Sequence, residues 1–241
     1  MGTYVIGDIH GGLRGLEDVL AKTPYTVGDA FIFVGDYVDG WSDGAETISF
    51  LLDFSKKQDC VFVRGNHDAL LHGYLTGKKS NPMWYNHGGL SSVKSYAKLT
   101  QGEIARHISF LENLHDFYID KDNRLYVHAG FTNIKGPRYE HYPEMLYWDR
   151  TLWEMACALG PSLKKESNRY PKRLLLFKEI FMGHTPVTRV GRGVPTQFAN
   201  VWNVDTGAAF KGPVSVLHVE TKQYYQSRPL YRLYPNEPGR N

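Results

Sequence analysis

The first third of the chain alternates between short apolar runs and longer amphipathic stretches. Apolar runs of strand length occupy Thr3–Ile6, Ala30–Val34 and Cys60–Arg64. Between them, Leu13–Lys22 and Ala45–Ser55 are predicted to be helices, the first with apolar residues along one face. Strands separated by helices predict crossover connections and a parallel sheet. Side chains that follow these strands should therefore meet at one edge of the sheet, where ligands bind in α/β proteins.

The rest of the chain predicts a helical insertion followed by a second sheet. Residues 69–114 are predicted to form two or three helices broken by glycine and proline, a small cap beside the site. Phe117–Asp120 and Arg124–Val127 flank a turn and predict a β-hairpin. Further strands are predicted at 180–182, 201–204, 214–219 and 223–226. Residues 229–241, rich in proline and arginine, are predicted to form a tail or edge covering.

Length and composition are those of one enzyme domain over residues 1–241. The chain has 241 residues, 42% of them hydrophobic, and a net charge of +3. No basic run interleaved with aromatic residues marks a nucleic-acid groove, and no window approaches the roughly 18 apolar residues of a membrane helix. Cys60 and Cys157 suggest no disulfide framework, which favours a reducing compartment. We therefore expect a soluble, cytoplasmic monomer that binds neither nucleic acid nor membrane.

Six polar residues stand in short motifs spread along the chain, most of them at the ends of predicted strands. Carboxylate, imidazole and amide groups suit borderline or hard divalent ions, and no thiolate stands among them. The set predicts a pair of metal ions about 3.5–4 Å apart that share one bridging carboxylate. The candidate ligands are Asp8, His10, Asp36, Asn66, His128 and His184.

Asp36 is the candidate bridge between the two ions. Asp8 and His10, two residues apart, can both reach one ion if the chain turns after the first strand. Asn66 would then complete the second ion together with the two later histidines. Two divalent ions are expected as cofactors, with Mn as the first choice and Fe or Zn as alternatives that accept the same ligands.

Five motifs in a fixed order give the chain a resemblance to a known family. They are GDIHG at 7–11, GDYVD at 35–39, GNHD at 65–68, HAG at 128–130 and GHT at 183–185. The set resembles the metallophosphoesterase superfamily, and within it the phosphoprotein phosphatases of the small bacterial and phage branch. The resemblance implies a four-layer α/β/β/α sandwich with two packed mixed sheets. It also implies Asp8, His10 and Asp36 on the first metal, and Asp36, Asn66, His128 and His184 on the second.

Further residues around these ligands are predicted to bind or protonate the substrate. His67 is placed to protonate the leaving group, and a carboxylate on its other ring nitrogen would keep it oriented. The family's dyad implies that Asp39 is this carboxylate. Arg64, just before the third motif, can clamp phosphate with its planar fork. Arg150 resembles the second phosphate-binding arginine of the small bacterial and phage phosphatases.

The chain departs from the family pattern directly after Asp39. Gly40 and Trp41 stand where the family has arginine and glycine, so one phosphate clamp is missing. Either Arg64 and Arg150 suffice, or a basic loop such as 78–79 substitutes, or the phosphate is held differently. A smaller departure is Asp68, which replaces the usual glutamate of the third motif.

The motifs together predict a metal-dependent phosphomonoesterase. The resemblance favours hydrolysis of phosphoserine and phosphothreonine in proteins or peptides, with phosphotyrosine as a further candidate, by direct attack of a hydroxide that bridges the metals. The alternative is a dinucleoside-polyphosphate or nucleotide hydrolase on the same fold, because residues 65–71 also resemble symmetrical diadenosine tetraphosphatases. A distant alternative is an inactive binding module that keeps the phosphatase fold.

Overall fold

Two mixed five-stranded sheets form the centre of the fold. The computed structural model describes residues 1–78, 81–160 and 162–240. Within these residues, the first sheet contains Thr3–Ile6 (β1), Ala30–Phe33 (β2), Asp59–Phe62 (β3), Ser215–His218 (β9) and Tyr224–Gln226 (β10). The second contains Phe117–Ile119 (β4), Arg124–Val127 (β5), Glu179–Met182 (β6), Thr196–Phe198 (β7) and Val201–Asn203 (β8).

Each sheet is built around three adjacent parallel strands. The first sheet has the order β10-β9-β1-β2-β3, in which β1, β2 and β3 are parallel, β9 pairs antiparallel with β1, and β10 pairs antiparallel with β9. The second has the order β4-β5-β6-β8-β7, in which β5, β6 and β8 are parallel. The parallel arrangement predicted for the first third of the chain is therefore confirmed.

Helices connect the strands and cover the outer faces of both sheets. Those that precede β4 are Leu13–Leu20 (α1), Gly44–Phe54 (α2), Asn66–Leu75 (α3), Pro82–Trp84 (α4), Leu90–Tyr96 (α5) and Gln101–Glu112 (α6), with a π-helical turn at Tyr85–Gly89. The later ones are Met145–Trp148 (α7), Thr151–Ala158 (α8), Lys172–Leu175 (α9) and Leu230–Leu233 (α10), with 3-10 turns at Pro137–Tyr139 and Val187–Val190.

Alternation along single strands creates three apolar layers. In β1, Tyr4 and Ile6 face the core beneath the first helical layer, whereas Val5 points to the opposite side, between the sheets. In the second sheet, Tyr126 and Phe181 also face the space between the sheets, and their rings stack with centroids 5.1 Å apart. Neighbouring residues of the same strands face the second helical layer. Three cores between four layers give the α/β/β/α sandwich expected from the sequence.

The helical segment predicted as a cap divides into two parts. Helices α5 and α6 pack on α2 and so join the helical layer outside the first sheet. The stretch around α4 and the π-turn instead borders the cleft described below, through Asn81, Met83, Trp84 and His87. Of the predicted cap, this middle stretch and Leu70 of α3 therefore flank the candidate site.

The C-terminal segment is packed against the first helical layer. Leu230 and Tyr234 are buried in the same core as α1 and α2. The Tyr234 ring stacks on Trp41, with centroids 5.1 Å apart, and its hydroxyl donates to Asp43. The segment predicted as a tail or edge covering thus fills space next to the loop that follows β2.

The longest helix in the described part of the chain, α6, has 12 residues. None of the helices there combines the length and the apolar character needed to cross a bilayer.

Candidate metal centre

The six predicted ligands converge at the carboxyl ends of parallel strands from both sheets. Asp8 and His10 follow β1, Asp36 follows β2, and Asn66 follows β3 at the start of α3. The second sheet contributes the two later histidines, which follow β5 and β6 and are His128 and His184. All six are buried. The parallel direction of these strands explains the convergence, because their loops leave at the same edge.

Several residues of these loops have left-handed backbone conformations. Asp36 has φ 56°, His10 has φ 54° and His184 has φ 66°, and Asp39 has φ 69°. Non-glycine residues rarely adopt this region, and such strain is found most often at functional sites. The unfavourable backbone conformations of these loops turn the side chains towards one point, at a cost in local stability.

Asp36 lies between two groups of nitrogen ligands. Its Oδ2 is 3.5 Å from Nε2 of His10 on one side and 3.4 Å from Nε2 of His128 on the other. Two clusters of potential metal-ligating atoms share this carboxylate, one with His10 and His67 and the other with His128 and His184. This is the position that a bridging carboxylate requires.

Backbone carbonyls orient the imidazoles. Nδ1 of His10 lies 2.8 Å from the carbonyl oxygen of Asp39, and Nδ1 of His128 lies 2.7 Å from that of Val34. A carbonyl can only accept, so each Nδ1 carries a proton and each Nε2 points at Asp36. Burial lowers the pKa of His128, but the nearby Asp36 and Asp8 carboxylates outweigh it and raise that pKa to about 10. The two carboxylates thus favour a positive charge beside Nε2 of His128.

Asn66 and His184 complete the second cluster. Oδ1 of Asn66 lies 3.2 Å from Nε2 of His128 and 2.9 Å from Nδ1 of His184. Asp8 accepts hydrogen bonds from the backbone N–H of His184, which ties the first sheet to the second. The predicted ligands of both ions are therefore within one continuous cluster.

The residues fit a pair of divalent cations. Asp8, Asp36 and Asp205 are buried carboxylates, and in the described chain no lysine or arginine lies within ion-pair distance of them. Burial and the Asp8 carboxylate raise the pKa of Asp205 to about 8. Buried carboxylates without basic partners are costly unless a cation compensates them. The donor set consists of oxygen and imidazole nitrogen, which suits a dinuclear site of borderline or hard ions.

The predicted dyad is formed, and it has two further partners. Nδ1 of His67 lies 2.7 Å from Oδ2 of Asp39, whose side chain is completely buried. Asp39 also accepts hydrogen bonds from the Trp84 indole and the Ser92 hydroxyl. The sequence did not indicate either hydrogen bond, since both donors come from a distant segment. Trp84 and Ser92 thus hold this carboxylate and His67 in one arrangement.

Asp68 organises the loops that carry the ligands. Its carboxylate accepts the backbone N–H groups of Asp36 and Gly65, each at 2.8 Å, and that of Tyr37 at 2.9 Å. Burial and the neighbouring Asp36 carboxylate raise the pKa of Asp68 to about 7. The sequence indicated only a small departure from the family at this position. In the structure, the hydrogen bonds of this carboxylate connect the loop after β2 to the loop after β3.

Arg64 does not reach the cleft, and this corrects its predicted role. Its Nε donates to Asp116 at 3.0 Å, and its two terminal nitrogens donate to the carbonyls of Leu111 and Leu114, each at 3.0 Å. These carbonyls lie at and beyond the end of α6. A planar guanidinium can bind the carbonyls at the end of a helix as well as it can bind phosphate. The sequence alone could not distinguish these two roles.

Arg150 does line the cleft above the ligand cluster. The cleft has a volume of about 600 Å³ and reaches His10, Asp36, Asn66, His67, His184 and Asp205. Arg150 is half-buried there and donates to Thr185 at 3.0 Å. Two arginines that the sequence did not indicate, Arg189 and Arg240, also line it. Of the basic loop considered as a substitute clamp, Lys78 is not among the lining residues and Lys79 lies outside the described residues.

Fold and site together define a class of hydrolase. The chain matches the family model of the calcineurin-like phosphoesterases over residues 1–206, and it belongs to this family. It is therefore a metallophosphoesterase, as the motifs predicted.

Two curated relatives within this family carry the same name. A bis(5'-nucleosyl)-tetraphosphatase PrpE [asymmetrical] of Halalkalibacterium halodurans is 27% identical over 257 residues, covering 98% of each chain. The protein of the same name from Bacillus subtilis is 25% identical over 222 residues, covering 86% of each chain.

Solved structures confirm the fold. One described as a candidate diadenosine tetraphosphatase has a TM-score of 0.63 at 18% identity, covering 93% of this chain and 92% of that one. A serine/threonine phosphatase of Saccharomyces cerevisiae has a TM-score of 0.61 at 16% identity, covering 95% of this chain and 83% of that one. Structural likeness at this identity extends to phosphatases of different substrates and speaks for the fold alone.

The expectation of a phosphoprotein phosphatase is wrong. The curated relatives that match over most of the chain are named for cleavage of bis(5'-nucleosyl) tetraphosphates, not for protein substrates. The five motifs that suggested the protein phosphatases contain the residues of the candidate metal centre. A metal centre of this kind can hydrolyse many different phosphoesters, so the motifs do not identify the substrate.

Proposed function

We propose that the protein is a metal-dependent hydrolase of dinucleoside polyphosphates, cleaving bis(5'-nucleosyl) tetraphosphates asymmetrically. The observation that carries this proposal is the cleft, which joins the metal-ligand cluster to three arginines and to several aromatic side chains. The names of the curated relatives support the same substrate class.

The charges of the cleft fit a polyphosphate chain better than a single phosphate. Arg150, Arg189 and Arg240 border it together with the metal cluster. Burial and the charge of Arg189 outweigh the Glu154 and Asp205 carboxylates and lower the pKa of Arg150, which means that the cleft gathers like charges. Several linked phosphates would neutralise several cations at once, and arginine binds phosphate oxygens in a bidentate manner.

Aromatic side chains at the same cleft fit nucleobases. Trp148 is 45% exposed, borders the cleft and meets the His184 ring at a centroid distance of 6.3 Å. Phe210 borders the cleft beside Arg240. Stacking of a base on an aromatic ring contributes about 1–3 kcal/mol and tolerates different bases. An exposed tryptophan next to the metal cluster is a suitable place for one nucleoside of the substrate.

The metal ions would be held by the predicted ligands around Asp36. Asp8 and His10 would bind one ion, and Asn66 with His128 and His184 would bind the other, while Mn²⁺ is the ion we expect. When bound, two such ions lower the pKa of water and neutralise charge on the phosphoryl oxygens.

Asp39 and His67 would act on the leaving group. Asp39 accepts the Nδ1 proton of His67, so Nε2 of His67 faces the cleft and can carry a proton to the departing oxygen. The leaving group of a phosphoanhydride is itself a nucleotide phosphate, which needs less help from a proton than an alkoxide does. His67 would then contribute less to anhydride cleavage than to cleavage of alkyl phosphates.

Product analysis tests the proposal. The protein is reconstituted with Mn²⁺ and incubated with diadenosine tetraphosphate, and the products are separated by ion-exchange chromatography. Asymmetrical cleavage gives equal amounts of nucleoside triphosphate and monophosphate, whereas symmetrical cleavage gives only diphosphate. Asp36→Asn serves as the blank, because it removes the carboxylate shared by both clusters. Release of diphosphate alone, or an intact dinucleotide alongside hydrolysed p-nitrophenyl phosphate, would contradict the proposal.

A further inference from the structure

Arg240 brings a positive charge into the cleft from the C-terminal segment. Its side chain lines the cleft, and its guanidinium lies 5.5 Å from the ring centroid of Phe210. Within the part of the chain that the structure describes, this side chain makes no hydrogen bond, and its Nε is buried without a partner. A buried donor of a charged group without an acceptor is costly, which indicates that an acceptor is supplied from outside the described residues.

The backbone before Arg240 is held firmly in place. The backbone N–H of Arg240 donates to the carbonyl of Ala209 at 2.9 Å. Gly239 has φ +64° and lies so close to Trp41 that an added Cβ would be 2.8 Å from the indole. The arginine is therefore presented by a packed segment.

A second contact joins the same segment to the loop after β2. The carboxylate of Glu237 accepts the backbone N–H of Ser42 at 2.9 Å and the Ser42 hydroxyl at 2.7 Å. Because this loop also contains Asp39, the C-terminal segment and the dyad are positioned by the same piece of backbone.

Two glycines make room for the stem of Arg240. A Cβ added at Gly40, where φ is +140°, would lie 3.5 Å from Cγ of Arg240. One added at Gly88, where φ is +101°, would lie 3.1 Å from the same atom. A side chain at residue 40 would thus extend into the space that Arg240 occupies. The glycine at this position and the tryptophan after it both accommodate the C-terminal segment.

Arg240 shares the cleft with the catalytic side of the cluster. His10, Asp36 and His67 line the same cleft. The stem of Arg240 also lies beside the loop that carries Asp39, because its Cγ is 3.5 Å from the Cβ position of Gly40. The guanidinium is therefore placed to reach a phosphoryl group bound between these histidines.

We propose that Arg240 is a substrate-binding residue that donates to a phosphoryl oxygen at the metal centre. It would supply from the C-terminal segment the cation that Gly40 cannot supply from the loop after β2. The inference rests on the proposed function for the identity of the substrate, but it applies to any phosphoester that the centre accepts.

The test compares Arg240→Gln and Arg240→Lys with a matched control, Arg232→Gln. Arg232 lies on α10 in the same segment, is exposed and does not line the cleft. Steady-state kinetics are measured with diadenosine tetraphosphate and with p-nitrophenyl phosphate, and the dissociation constant of inorganic phosphate is measured by calorimetry. Thermal unfolding and metal content verify that each variant is intact.

We expect Arg240→Gln to lower kcat/KM and to weaken phosphate binding by about 10- to 100-fold, as for loss of a hydrogen bond to a charged group. Arg240→Lys should recover part of the loss, and Arg232→Gln should change nothing. If the dinucleotide is not cleaved but Arg240→Gln still weakens phosphate binding and p-nitrophenyl phosphate turnover, the proposed substrate fails and the role of Arg240 stands. Unchanged kinetics and unchanged phosphate affinity in Arg240→Gln would overturn the inference.

If Arg240→Gln unfolds, Arg240→Met decides, because methionine keeps an aliphatic stem between the two glycines and removes the charge. A folded Arg240→Met variant that binds inorganic phosphate as tightly as the natural protein, with unchanged kinetics on both substrates, would likewise overturn the inference.

Discussion

At the scale of single residues, the site depends on buried carboxylates that each serve several partners. Asp39 holds His67 and accepts two further hydrogen bonds, while Asp68 accepts three backbone N–H groups from two loops. A buried carboxylate is stable only when such donors or a cation compensate it. These networks give His67 a single orientation towards the cleft.

Replacing His67 by Asn should affect substrates according to their leaving groups. Asn keeps a polar side chain but cannot donate a proton as an acid, so hydrolysis of an alkyl phosphate such as β-glycerophosphate should fall by about 100-fold or more. Turnover of p-nitrophenyl phosphate should fall far less, because its leaving group hardly needs a proton. Turnover numbers of both substrates are compared at constant metal content. Equal losses on the two substrates would contradict the acid role.

At the scale of elements, two contacts decide how the outer helices pack. Arg64 joins the end of β3 to the end of α6, and His107 joins α6 to α2 and α5. Neither side chain lines the cleft. Both contacts hold the helical layer that supports the loops after β2 and β3.

Replacing Arg64 by Met should lower stability without affecting substrate binding. Met keeps an aliphatic stem but leaves the carbonyls at the end of α6 without their donors, which should cost about 1–3 kcal/mol. Urea-induced unfolding gives the stability, and steady-state kinetics should give an unchanged KM. Arg106→Met is the control, because Arg106 is exposed on the same helix. A large rise in KM in a stable Arg64→Met variant would restore the phosphate-clamp role.

His107 should make stability depend on pH below neutrality. Its ring is buried between the Ser49 and Tyr96 hydroxyls, and burial lowers its pKa from 6.5 to about 4. Below pH 6.5 the unfolded chain binds a proton that the folded chain does not accept until about pH 4, so stability falls as pH falls through this window.

We expect the loss to be about 1–2 kcal/mol, reduced from the full shift because the ring borders an open groove. The free energy of unfolding is measured by urea titration between pH 4 and pH 7 for the natural protein and for His107→Gln. The difference between the two should shrink or vanish at low pH, since glutamine does not titrate. Identical pH profiles would show that His107 does not contribute.

At the scale of the whole molecule, the candidate metal centre joins the two sheets. Asp8, Asp36 and Asn66 follow strands of the first sheet, whereas His128 and His184 follow strands of the second. Bound ions would therefore connect the two halves of the sandwich in addition to the apolar layer between them. Without the ions, the buried carboxylates at this junction repel one another.

Removal of metal should lower the melting temperature of the whole domain. Binding at 100 times the dissociation constant contributes about 2.7 kcal/mol per ion, which corresponds to about 5–10 °C in a domain of this size. Melting is followed by calorimetry before and after treatment with EDTA, and again after Mn²⁺ is restored. The Asp36→Asn variant is the control and should respond little. A melting temperature that is insensitive to EDTA in protein shown to have contained metal would contradict this coupling.

The sequence by itself determined the alternating strands and helices and the chemical type of the side chains at the strand ends. Alternation is a local property, because the period of apolar residues identifies strands and helices, and parallel strands place their ends together. The six candidate ligands follow from that local information, whereas the Asp39–His67 contact was implied by the family resemblance, and the structure brings all of these residues to one edge.

Only the tertiary structure decided where the long side chains end. Arg64 and Arg240 both stand beside glycines in sequence, yet the first is bound to the end of α6 and the second reaches the cleft. The endpoint of an arginine depends on neighbours that are distant along the chain, here α6 for one and Gly40 with Gly88 for the other. The substrate class is subject to the same limit, because it depends on what surrounds the metal centre and not on the motifs that form it.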